Sequence, residues 1–262
     1  MHWKRLVIAL IMLPLLYIYV MKLQPVFFFL LLLLVASVIA QAEFYSMYHV
    51  HGLMRFTGII LGISILLAMT YLSRNLFPDI LALSFIILSG MRLIGKRDPA
   101  SSLNDISPVL LAVLYIPCLL GFQIFLRNDG PEWIPFLYGC VWASDSLAYY
   151  VGKAIGKRRL YVEVSPNKTV AGALGSLIGG ALAGVLLNLG LIHSMSTQKS
   201  LMVGMVIGIT TIIGDLVESM FKRDAGVKNS GTLIPGHGGI LDKVDGVLFA
   251  GPVFYWITRH VV

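Results

Sequence analysis

Apolar stretches long enough to cross a bilayer follow one another along almost the whole chain, and no other feature constrains its fold as much. They run approximately over residues 5–21, 25–41, 56–72, 78–94, 106–126, 132–152, 170–193, 201–221 and 244–260, and nearly all the charge lies between them. A backbone in hydrocarbon must satisfy its own polar groups, so each stretch predicts a helix, and about 20 apolar residues are enough to cross. The expected fold is an all-α, polytopic integral membrane protein with about nine transmembrane helices. Only 13% of residues are charged and 57% are hydrophobic, against about 25% charged in soluble domains. Those proportions exclude soluble globular and disordered classes. Nine spans leave 262 residues no room for a sizeable soluble domain, so function must reside in the membrane part.

The N-terminal Lys4-Arg5 and the apolar run after them resemble a signal peptide. No small-residue cleavage site follows, and further apolar segments come at once, so the run is expected to be the first span. Cys118 and Cys140 both lie within apolar stretches, which supports neither a disulfide framework nor a cysteine zinc site. The net charge of +7 is spread over many short loops; this distribution suits anionic lipid and phosphate ligands and speaks against nucleic acid. Fifteen of the 20 Lys and Arg fall at the N-terminus and in the even-numbered loops. The positive-inside rule then predicts a cytosolic N-terminus and an external C-terminus.

The two halves differ. Residues 1–128 are rich in Leu, Ile and Phe and read as a lipid-facing scaffold, whereas in 129–262 acidic residues enter the spans and glycines become frequent, as expected of a catalytic region. In the seventh span Ala171, Gly175, Gly179 and Ala183 recur every four residues, with Gly172, Ser176, Gly180 and Gly184 beside them. Such small-residue ridges let helix backbones approach closely, and packing alone accounts for them.

Four constellations carry candidate chemistry. Near the end of the sixth span, Trp142, Asp145, Tyr149 and Gly152 share one helical face. An Asp within a span costs about 2.5–3.5 kcal/mol on insertion scales, so Asp145 is expected to face either a basic partner or a wet cavity. After a basic loop, Ser165-Pro166-Asn167-Lys168-Thr169 brings a Lys and two hydroxyls to the start of a helix, where backbone N–H groups favour anions. At the end of the eighth span Asp215, Glu218, Ser219 and Lys222 form a polar stripe. Two carboxylates one turn apart suit a hard cation such as Mg2+, and a Glu218–Lys222 pair is compatible with that role. Finally, Gly236, His237, Gly238 and Gly239 precede Asp242 and Asp245, which lie one turn apart at the start of the ninth helix. The glycines allow close backbone approach to a phosphate; the alternative is an ordinary turn with Asp242 as a helix cap, which leaves Asp245 unexplained.

The stretch Ser219, Lys222-Arg223, Lys228, Pro235, His237-Gly238-Gly239, Asp242 and Asp245 resembles the signature of the phosphatidate cytidylyltransferase (CDP-diacylglycerol synthase) family. The earlier blocks around Asp145, Lys168 and Asp215 resemble that family in the same order. The resemblance implies transfer of CMP from CTP to phosphatidate, with release of pyrophosphate, in phospholipid biosynthesis. It implies that Asp215, Asp242 and Asp245 hold Mg2+, one ion or a pair, with Glu218 and Asp145 as further candidates. Lys168, Lys222, Arg223, Gly238 and Gly239 would bind phosphate groups, and His237 would contact a phosphate or act as acid/base. Expected partners are CTP, phosphatidate and membrane lipids, with a homodimer as the assembly considered. Three positions depart from the pattern: Asn229 stands for Asp, Lys243 for Arg, and Ala171 for an acidic residue. They bear on metal affinity and lipid choice and leave a divergent paralogue open. Two further alternatives are a CTP-dependent lipid kinase and a membrane transporter, whose acids would be spread over several depths.

Overall fold

The computed structural model describes residues 19, 26–72, 77–96, 98–193, 195–233 and 238–260. Apart from Tyr19, the expected first span lies outside the described residues. The other eight stretches are helices: α1 (Val26–Met47), α2 (Gly52–Tyr71), α3 (Phe77–Gly95), α4 (Ser102–Asp129), α5 (Trp133–Ile155), α6 (Val170–Ile192), α7 (Thr197–Asp224) and α8 (Leu241–His260). Six of these, α1 to α4 with α6 and α7, are long and apolar enough to cross a membrane. The chain is an all-α integral membrane protein, with α5 and α8 packed among those six. These two helices also carry Asp145, Lys153, Asp242, Lys243 and Asp245 at one end, and this lowers their apolar character where the site is built.

One small element departs from the all-helical expectation. Arg159–Tyr161 (β1) pairs antiparallel with Ser165–Thr169 (β2), with Arg159 opposite Thr169, Tyr161 opposite Ser165 and a register irregularity between them. Both strands of a two-stranded ribbon are edges, so Pro166 costs it little. Thr169 ends β2 and caps α6, its hydroxyl oxygen accepting from the Gly172 N–H at 3.0 Å.

The small-residue ridges of α6 pack on two different helices. A Cβ at Gly175 or Gly179 would strike backbone oxygens of Leu147 and Ala143 in α5, and one at Gly180 or Gly184 would strike those of Gly204 and Ser200 in α7. Ser176 adds a hydrogen bond from its hydroxyl to the Gly208 carbonyl, 3.1 Å. Close backbone approach thus fastens α5, α6 and α7 into one block.

In α4, residues Leu114–Cys118 form a π-turn within the longer helix. Pro117 lacks an N–H and its ring would crowd the carbonyl four residues before; a wider turn relieves that conflict. The turn presents Tyr115 to Phe221 of α7 and Phe44 of α1, with ring centroids 5.4 and 6.2 Å away. This aromatic cluster joins the two halves of the chain beneath the site.

Candidate active site

Chain reversal brings the ends of α1, α5 and α7 together with the starts of α6 and α8. Between α5, the hairpin, α7 and α8 lies a cavity of about 770 Å³, lined by Asp145, Tyr149, Lys153, Arg159, Lys168, Asp215, Lys222, Asp242 and Asp245 among others. At 28 residues α7 is about 42 Å long, more than the roughly 30 Å hydrocarbon core requires. Its last ten residues carry Asp215, Glu218, Ser219 and Lys222.

Asp215, Glu218 and Asp245 come together, with one carboxylate oxygen of each within 4.8 Å of the others. Mg2+ takes oxygen ligands at about 2.0–2.1 Å, so opposite ligands stand about 4 Å apart. These three residues therefore fit a hard cation after a small contraction. Glu218 is buried and pairs with Lys222, whose ammonium also donates to Asp242 Oδ1 at 2.6 Å. Lys168 meets Asp215 at 2.5 Å, and Asp215 Oδ1 accepts from the Ser219 hydroxyl at 3.4 Å. Asp245 Oδ1 accepts from the Gly246 N–H at 2.8 Å. Asp145 lines the same cavity from α5. Acids from three helices thus converge around one cavity with two lysines among them.

Asp242, expected beside Asp245 as a metal ligand, has other company. Its Oδ1 faces Lys222, and its Oδ2 accepts from the N–H groups of Ser230 and Gly239 at 3.0 and 2.8 Å and stands 2.8 Å from the Ser230 hydroxyl. It lies just ahead of the apolar part of α8. Burial raises its pKa, but the Lys222 bond, the Gly239 amide and the Ser230 hydroxyl outweigh this and hold the carboxyl at about 2. Gly238 has φ +85°, a conformation that side chains rarely adopt, and a Cβ there would meet the Asp242 carboxylate.

Arg223 is drawn away from the cavity: it donates to the carbonyls of Val164 at 3.2 Å and Val227 at 3.1 Å, tying the hairpin to the segment after α7. His237 lies outside the described residues, as do Pro235 and Gly236. Asn229 and Lys243 are exposed and line no part of the cavity.

Two residues of the first half enter the site without any signal in the sequence. Glu43 of α1 accepts from the N–H groups of Ile240 and Leu241, both at 2.9 Å, and its Oε2 stands 3.0 Å from the Ser230 hydroxyl. Tyr115 of α4, 5% exposed, lies within electrostatic range of Glu218, Asp245 and Asp215. A single Glu near the end of an apolar stretch has no nearby chemical partner in the chain; those of Glu43 are almost 200 residues away.

The model of the cytidylyltransferase family matches residues 3–261. A phosphatidate cytidylyltransferase of Staphylococcus haemolyticus is 36% identical over 185 residues, 70% of this chain and 69% of that protein. One of Bacillus subtilis is 31% identical over 216 residues, covering 81% and 71%, and one of Synechocystis is 38% identical over 187 residues, covering 60% and 64%. The chain spans about two thirds of the length of these relatives.

Proposed function

The chain belongs to the cytidylyltransferase family, and on that premise we propose that it transfers CMP from CTP to phosphatidate, forming CDP-diacylglycerol and pyrophosphate in a bacterial inner membrane. The observation that carries this reading is the carboxylate cluster at the cavity wall: Asp215 and Asp245 line the cavity beside Lys168 and Lys222, and the buried Glu218 has a carboxylate oxygen within 4.8 Å of theirs.

In the transfer, a phosphatidate phosphate oxygen forms a bond to the α-phosphorus of CTP, and the bond to the β-phosphate oxygen breaks. Such reactions depend on positioning and charge neutralisation. Asp215, Glu218 and Asp245 would hold Mg2+, which when bound offsets the charge of the phosphates. Lys168 and Lys222 orient phosphate oxygens, and Arg159 stands at the hairpin edge of the same cavity, where the triphosphate tail is accommodated. Asp242 keeps Lys222 in place. Residues 129–262 supply all three carboxylates, while 1–128 supply the scaffold and, through Glu43 and Tyr115, part of the support.

The full reading has nine spans, a cytosolic N-terminus and an external C-terminus, so that the cavity opens where CTP is available. Assembly as a homodimer is part of this reading and is checked by the mass of the protein in detergent. Purified protein supplied with phosphatidate, CTP labelled at the α-phosphorus and Mg2+ should yield labelled CDP-diacylglycerol and pyrophosphate. Formation of CDP with a newly phosphorylated lipid would identify a kinase instead, and release of no pyrophosphate under any divalent cation would reject the transfer.

A further inference from the structure

Resting on that reading of the reaction, we infer that Glu43 is a positioning residue of the site: from the first half of the chain it fastens the start of α8 and Ser230, and through them holds Asp242 and Lys222 in place. Three observations support this. The carboxylate receives two consecutive backbone amides, those of Ile240 and Leu241, one on each oxygen. The space it occupies is left open by two glycines, since a Cβ on Gly231 or on Gly239 would run into the Glu43 carboxylate. The Ser230 hydroxyl stands 3.0 Å from Glu43 Oε2 and 2.8 Å from Asp242 Oδ2, so its one proton serves two carboxylates.

A continuous polar chain results: Glu43, Ser230, Asp242, Lys222, Glu218. Its last three members reach the cavity or the carboxylate cluster, while Glu43 itself does not line the cavity. Glu43 therefore acts on the reaction through others. Just past the end of α1, the Tyr48 hydroxyl donates to Asp224 Oδ2 at 3.0 Å and ties this segment to the end of α7. Glutamine cannot replace the carboxylate, because its amide nitrogen would set a donor against a backbone N–H.

The test uses the full-length protein, with Glu43→Gln and, as a second variant, Ser230→Ala. In Glu43→Gln, backbone hydrogen exchange at Ser230, Ile240 and Leu241 should accelerate while exchange within α5, α6 and α7 stays unchanged. Per folded molecule, kcat should fall about 10- to 100-fold, the scale of a misplaced reacting group, with KM for CTP changed less than about threefold. Ser230→Ala should shift both readouts in the same direction, and the double variant should fall no further than the worse single one, because both cut one chain. Unchanged exchange at those amides, a wild-type kcat in folded Glu43→Gln, or additive losses would overturn the inference. If the wild-type protein forms no CDP-diacylglycerol, the proposed reaction fails, and the exchange comparison alone then decides whether Glu43 fastens α8.

Discussion

Asp242 and Asp245 lie one turn apart, and their different partners give them different parts to play. Asp242 is hydrogen-bonded on both oxygens by protein donors, whereas Asp245 has one backbone donor and stands with Asp215 and Glu218. Asp245→Asn should therefore remove at least 100-fold in kcat, since each 1.36 kcal/mol is about tenfold, and leave the unfolding temperature close to wild type. Asp242→Asn should lower both, because the buried Lys222 loses a partner. The pH dependence of stability separates them further. The Asp242 carboxyl ionises more readily in the folded state, so its stabilisation is complete above about pH 4, its unfolded range, and is lost as pH falls toward about 2. Between pH 5 and 3 the wild type should thus lose more thermal stability than Asp242→Asn does, as followed by intrinsic fluorescence in detergent. That Asp215 and Asp245 would meet was expected from the family resemblance, while their charge within apolar stretches marked each only singly. The engagement of Asp242 with Ser230 was not expected, because a backbone amide leaves no trace in residue type.

At the scale of elements, α6 shows both what spacing reveals and what it conceals. Its four-residue ridges announce close helix contact, yet the same ridges would serve any pair of neighbours; only packing assigns one to α5 and the other to α7. Gly180→Val should prevent assembly of the block, because the new side chain meets the Gly204 carbonyl, and backbone cannot move aside as a side chain does. Gly190→Ala, where a Cβ meets open space, should leave folding unchanged, and gel filtration in detergent distinguishes the two. The π-turn of α4 and the β1–β2 hairpin were not anticipated. Pro117 marks the turn only once the helix is known to continue through it, and the hairpin is too short to carry an alternating pattern.

For the whole molecule, hydropathy revealed the eight described helices, with ends within six residues of the expected ones, since in a bilayer segment length and polarity leave little else to choose. The role of the first half was hidden for the same reason: lipid-facing helices read alike whether or not they support a site. Sidedness is tested by replacing Cys118 and Cys140 and introducing Lys157→Cys or Lys199→Cys. In cells the first should be shielded from an impermeant thiol reagent and the second labelled; equal accessibility of the two would refute the span assignment between them. The reach of Glu43 to Ile240 also has a consequence for biosynthesis. The carboxylate leaves the ribosome 197 residues before the first amide it will bond, which at about 5–20 residues per second is a delay of about 10–40 s. Throughout that interval α1 carries an acid whose eventual hydrogen-bond donors have not yet been made, and a chain arrested before α8 never acquires the Ile240 and Leu241 amides. Completion of translation is thereby coupled to closure of the polar chain, and truncated products differ chemically from finished ones at a residue made near the start.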